Sequence, residues 1–320
     1  MRWRATVAGQ GVPADEPTQA LKIWSKAVTP EDVLSHPALA LSELARRFYF
    51  SNGYLAEPGF VPRSWLDRLN RTTARLMDEA RVCTVSNEAF DLGPGHSAEQ
   101  PHVRRFRALV DRDPIYWEFA TCPLILDLVA DLVGPDIKFH SAKLNNKRAN
   151  DGAAVHWHQD IQAWPHTNYS PVTIGIYLND VGASNGPLAV VPGSQDGPLF
   201  DQYEGDRWTG YISDQDLSQV DLLNADPIHG PAGTLCAINC RAIHGSEPNS
   251  GTRDRPMILL VYASADAMTC SSAPTPTTHT NEIVRGRPAR WSHVDPRPSL
   301  IPPDWEEVGY GSIFTAQGKT

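Results

Sequence analysis

Six consecutive residues, Val155-His156-Trp157-His158-Gln159-Asp160, and two later ones, His244 and Arg255, are the part of this chain whose types and spacing suit chemistry. If residues 155–160 are extended, side chains two apart point the same way, so His158 and Asp160 share a face and Gln159 points away. Add His244, and two imidazoles with one carboxylate take one face of a metal ion, leaving the other open for O2 and an oxidant. That is the ligand set of a non-haem Fe(II) site. Arg255 precedes Pro256-Met257-Ile258-Leu259-Leu260-Val261-Tyr262-Ala263, an apolar run of strand character. Its guanidinium would enter the core and need an anion there, whereas Arg253 reads as an exposed edge residue. A dicarboxylate co-substrate meets that need, because a planar fork binds a carboxylate through two bonds where Lys would not.

His-x-Asp alone is a weak signal, and the chain has a second copy, His293-Val294-Asp295, in a segment with Pro288, Pro296, Pro298, Pro302 and Pro303. No histidine follows to complete a triad, so this copy reads as surface loop. His156 shares the face of His158 only in a regular strand, and it reads as a neighbour of the ligands instead of one of them.

These residues need elements to hold them. The run Gly233 to His244 reads as one buried strand launched from a turn at Pro231-Ala232-Gly233, and the stretch between Asp160 and His244 leaves room for a hairpin or two. Residues 62–77 have apolar positions at helical spacing, and Ile115 to Val133 reads as one further helix around Leu124, Leu128 and Leu132. From Lys138 onward short strands alternate with Gly, Pro and Asn clusters. This mainly-β pattern, with flanking helices buttressing one sheet, predicts a double-sheet jelly roll. Within it, Lys143, Asn145 and Lys147 fall on one face of the strand before the ligand strand.

The sequence resembles the phytanoyl-CoA dioxygenase family of Fe(II)/2-oxoglutarate oxygenases, which includes the ectoine hydroxylases. The resemblance is carried by Phe50-Ser51-Asn52-Gly53-Tyr54-Leu55, by Trp157 to Asp160, by Asn185 to Ser194, and by His244-Gly245-Ser246-Glu247-Pro248-Asn249 followed by Arg255. It covers most of the chain. It implies a double-stranded β-helix of cupin type, with Fe(II) on His158, Asp160 and His244, and 2-oxoglutarate held by Arg255. Hydroxylation of an unactivated C–H bond of a small molecule would consume O2 and release succinate and CO2. Ser246, and Lys143 or Asn145, are further candidates for the co-substrate, the alternative for the two strand residues being a solvated face. Trp164 either walls the substrate cavity, as the similar position does in ectoine hydroxylases, or packs the core. Trp208, Tyr211, Trp291, Trp305 and Tyr310 are weaker candidates. One departure is visible: Gln195 stands where the family usually has His, a position expected to touch neither metal nor co-substrate.

Composition agrees with one catalytic domain over residues 1–320, of which 1–40 read as a loosely ordered extension. The formal net charge of −9 argues against nucleic acid or an anionic membrane as partner. No run is apolar enough to span a bilayer, and no apolar stretch follows Met1-Arg2-Trp3-Arg4, so a cytoplasmic protein is expected, with its five cysteines reduced and the iron kept ferrous. Two rival classes remain. A cupin-type metal enzyme would use His156 and His158 but lacks a Glu at 161–165, and a non-catalytic jelly-roll binding protein would have no use for the full set.

Overall fold

Alternating inward and outward side chains build two facing antiparallel sheets, and helices cover the outer face of the larger one. The structure, a computed structural model, describes residues 29–150 and 152–318. Its strands are β1 (Tyr54–Glu57), β2 (Phe90–Leu92), β3 (Val103–Phe106), β4 (Ile137–Lys147), β5 (Val155–His158), β6 (Val172–Tyr177) and β7 (Leu188–Val190). They continue as β8 (Tyr203–Glu204), β9 (Arg207–Trp208), β10 (Asp226–Pro227), β11 (Leu235–Asn239), β12 (His244–Ser246), β13 (Arg255–Ser264) and β14 (Ile283–Arg285). The large sheet runs β1-β11-β6-β13-β4-β3-β2, with β14 beside β4, and the small one runs β10-β7-β12-β5. This is the expected jelly roll.

Along β4 and β13 the period of two decides what each residue meets. Ala142, Leu144, Ile258 and Leu260 pack outward under the helices, and each fully buried Leu or Ile is stabilised by about 1.5–3 kcal/mol. Lys143, Asn145, Lys147, Met257 and Leu259 face the space between the sheets, where they line a cavity.

The helices are α1 (Pro30–Ser35), α2 (Glu43–Asn52), α3 (Arg63–Glu79), α4 (Pro114–Thr121), α5 (Pro123–Val133), α6 (Asp214–Leu217), α7 (Trp305–Val308) and α8 (Ile313–Gln317). The helix expected over 115–133 is therefore two. Pro123 has no N–H to donate and forces Cys122 into extended backbone (ψ 152°), so α4 stops and α5 starts with proline in its first turn. At the end of α2, Gly53 caps the helix at φ 77° before β1 begins. A Cβ there would lie 2.4 Å from the Gln195 side chain, which bonds the carbonyls of Phe50 and Ser51. Gln195 thus holds the helix-to-strand turn.

The expected extension at 1–40 falls mostly on residues outside those described. From Thr29 onward the chain is tied down: Arg46 bonds the carbonyls of Val33 and His36, and the Asp131 carboxylate accepts the N–H groups of Leu39, Ala40 and Leu41. No helix among the described residues is long and apolar enough to cross a membrane.

Candidate active site

Strand β5 stops at His158, two residues earlier than an extended 155–160 predicts. Gln159 is still extended (φ −125°, ψ 119°), and Asp160 opens a 3-10 turn to Gln162. The turn keeps the Asp160 carboxylate beside the His158 ring, and the buried Gln159 amide points away to the carbonyls of Pro198 and Arg241, at 3.0 and 2.9 Å. The strand expected over 233–244 is also divided. It ends at Asn239, whose side chain accepts the Arg241 N–H and whose carbonyl accepts that of Ala242, turning the chain from the large sheet into the small one. His244 then opens β12 directly opposite His158.

The three side chains converge. His158 Nε2 lies 3.7 Å from Asp160 Oδ1, and His244 Nε2 lies 3.9 Å from Asp160 Oδ2. Donor atoms from all three lie within 4.8 Å of one another, and they are the one such group among the described residues. Two atoms each bonded at about 2.1 Å to one ion stand at most about 4.2 Å apart, so each histidine lies close enough to Asp160 to share a metal with it. The ring chemistry fits as well. Nδ1 of His158 donates to the His156 carbonyl at 2.8 Å, and Nδ1 of His244 donates to the Ala242 carbonyl at 2.9 Å, so each Nε2 keeps its lone pair for a metal. Burial, then the neighbouring His244, pushes His158 well below its ordinary pKa and keeps it neutral. Burial alone would raise the Asp160 carboxyl, but His244, Lys143 and His158 outweigh it, and Thr173 donates to Oδ2 at 2.8 Å.

Beside the triad, a cavity of about 80 Å³ opens between the sheets, several times the ~10–15 Å³ that a single water needs. Arg255, 4 % exposed, lines it from the start of β13. One Nη donates to the Gly186 carbonyl at 3.0 Å, while Nε has no partner and no carboxylate among the described residues pairs with it. Arg253 is exposed, as expected. Lys147, 1 % exposed, stands directly across from Arg255 in the β4–β13 register and bonds the carbonyls of Ser246 and Glu247. Burial, then the Arg255 charge, pushes it down to about 6. Ser246 and Lys143 line the same space, and burial brings Lys143 down to about 8. Asn145 is a lining residue whose Oδ1 accepts from Arg105 Nε at 3.0 Å.

The aromatic candidates separate. Trp164 packs with Ile161, Cys240 and Val261 and also lines the cavity. Trp208 and Tyr310 line the cavity, Trp305 meets Trp208 edge-to-face at 5.0 Å, Tyr211 lies off the cavity, and Trp291 is exposed. His156 turns its ring outward, which removes the cupin-type ligand pair, yet its backbone carbonyl orients His158. His293 pairs with Asp266 at 2.6 Å and Asp295 with Arg297 at 2.9 Å, away from the triad. Lys147, Arg105, Ile313 and Phe314 line the cavity without having been singled out by the sequence.

Two imidazoles and a carboxylate in a jelly roll, with buried cations across the cavity, define the class of non-haem iron oxygenases. The model of the phytanoyl-CoA dioxygenase (PhyH) family matches residues 49–257, and the chain belongs to that family of Fe(II)/2-oxoglutarate-dependent dioxygenases. It is 33% identical over 264 residues to a probable alpha-ketoglutarate-dependent hypophosphite dioxygenase of Stutzerimonas stutzeri, covering 80% of this chain and 91% of that one. It is 29% identical over 237 residues to the L-proline trans-4-hydroxylase of Streptomyces griseoviridis, covering 67% and 83%. The fold is similar to that of EctD from S. alaskensis with bound Fe, with a TM-score of 0.60 and 19% identity over 83% of this chain and 91% of that one. The relatives' names differ in substrate, so the likeness carries the reaction class and leaves the substrate open.

Proposed function

We propose that His158, Asp160 and His244 hold Fe(II), that Arg255, Ser246 and Lys147 hold the far carboxylate of 2-oxoglutarate, and that the product is a hydroxylated small molecule. The observation that carries this is the pairing, in one cavity, of a metal-competent triad with a buried guanidinium that has no carboxylate partner and the Lys147 amine directly beside it. A buried guanidinium without an anion is costly, and a dicarboxylate on the iron side brings one to it. When bound, iron with 2-oxoglutarate and O2 supplies an oxidant for an unactivated C–H bond and releases succinate and CO2.

The chain's own residues do the rest. The carbonyls of His156 and Ala242 fix the ring tautomers, and Thr173 fixes the carboxylate. Lys143, whose ammonium feels the Asp160 charge, and Asn145 border the co-substrate from β4. Trp164, Trp208 and Phe314 keep water from the reacting end. We place the enzyme in the cytoplasm, where a reducing milieu keeps iron ferrous and the five cysteines, all free thiols here, reduced. The test is anaerobic titration of the metal-free protein with Fe(II) and then 2-oxoglutarate, followed by succinate release on a panel of small molecules. One iron per chain and substrate-stimulated succinate are expected, and absence of either overturns the assignment.

A further inference from the structure

We propose that residues 310–318 form a hinged flap that opens to admit 2-oxoglutarate and the substrate and closes over both, with Ile313 and Phe314 as the face that meets the substrate. The proposal rests on the iron and 2-oxoglutarate reading above and deepens it.

The closed cavity is too small for what it must hold. Its volume of about 80 Å³ is room for about five to eight waters at ~10–15 Å³ each, whereas 2-oxoglutarate alone has about ten non-hydrogen atoms and the substrate comes on top. A wall has to give. Most of the wall belongs to β4, β5, β6, β7, β11, β12 and β13, whose backbones are laced into ladders. The wall at α8 is attached differently. Among the described residues, the backbone–backbone hydrogen bonds of 310–318 stay within that segment. The segment also lies beyond the part of the chain that the family model matches.

Side chains hold the flap shut. Ser312 Oγ donates to Asp91 Oδ2 at 2.5 Å, the Gln317 side chain bonds the backbone of His156 and Gly210, and Ile313 and Phe314 fill the gap between the sheets. When Ser312 leaves, Asp91 keeps Arg104 at 3.1 Å, so opening strands no buried charge. Gly309-Tyr310-Gly311 supplies the hinge. Gly309 sits at φ 74° and ψ 145°, where glycine goes at least cost, yet a Cβ there would meet nothing within 4 Å. Backbone freedom, not packing, therefore calls for glycine at this point. On the near side of the hinge α7 stays in place, because Trp305 Nε1 donates to the Ala163 carbonyl at 2.8 Å.

The experiment mixes anaerobic protein loaded with Fe(II) against 2-oxoglutarate in stopped flow, reading the visible absorption that chelation gives the metal, and follows release on dilution. If entry waits for the flap, the capture rate scales with the fraction of molecules that are open. Ser312→Ala removes the latch, so capture and release should both quicken about tenfold while equilibrium affinity stays within about threefold. Hydrogen exchange over residues 310–318 should quicken by about the same factor, with β4 and β13 unchanged. A merely structural serine would leave capture unchanged or quicken exchange in the sheets as well, and either result overturns the proposal. Should Ser312→Ala not fold, Gly309→Ala strains the closed hinge and carries the same test, an unchanged capture rate overturning the proposal equally. Failure of the wild-type protein to bind iron or 2-oxoglutarate is seen in the equilibrium titration beforehand, and overturns the underlying oxygenase reading.

Discussion

His158 and His244 face each other as direct partners across the antiparallel β5–β12 pair, their rings 4.2 Å apart between centroids. The shared metal face is thus set by backbone register, with only Asp160 delivered by a turn. Asp160→Ala or His244→Ala should lower bound iron from one per chain to a small fraction and abolish turnover, because two remaining ligands hold the metal weakly. Metal analysis after anaerobic reconstitution checks this, and His293→Ala should leave both properties intact.

Arg255→Gln should raise the 2-oxoglutarate KM by the equivalent of about 2–5 kcal/mol, roughly 30-fold to a few thousand-fold. Arg253→Ala is the matched control and should change it little. Steady-state succinate release over a wide co-substrate range separates them, and equal effects would show the wrong Arg to have been assigned.

Lys147 gives a pH signature. Its ammonium is held down to about 6 in the folded protein, against 10.5 for an unperturbed lysine. Between those values the unfolded chain binds the extra proton, so the metal-free protein becomes more stable as pH rises from 6. Lys143, at about 8, adds to the slope above pH 8. Urea unfolding at pH 6.5, 7.5 and 8.5 should show this rise, and Lys147→Met should flatten its lower part. An unchanged slope in that variant would place the titration elsewhere.

The α8 side chain of Gln317 accepts the His156 N–H at 2.9 Å and donates to the carbonyls of His156 and Gly210, at 3.3 and 2.7 Å. Gln317→Ala should cost about 1–3 kcal/mol and speed hydrogen exchange across residues 305–317. Because the His156 carbonyl also orients His158, iron affinity should fall about tenfold. Exchange measured by mass spectrometry, with iron titration alongside, tests both halves.

The ligand residues were legible in the sequence because metal chemistry restricts residue types and a strand restricts spacing. The same alternation placed Lys147 beside Lys143 and Asn145, yet its pairing with Arg255 depends on β4–β13 register, which local sequence does not fix. Arg105 gave no signal, since a run of three arginines in four residues reads as a solvated face until Asp91 is seen to occupy two of them. The break at Cys122-Pro123 was written in the chain as a proline inside a helical pattern. The crossing at Asn239 to Ile243 was not, because a buried run keeps its apolar character when it passes from one sheet to the other.

The contrast between a chain of net charge −9 and a cavity lined by two arginines and two lysines against one carboxylate has a kinetic consequence. An approaching anion meets repulsion outside before attraction inside. Dissolved ions screen the outer field over about 8 Å at physiological strength but reach the buried charges far less. Added salt should therefore hasten 2-oxoglutarate capture in stopped flow, the reverse of ordinary electrostatic steering, while the rate at which it leaves stays nearly constant.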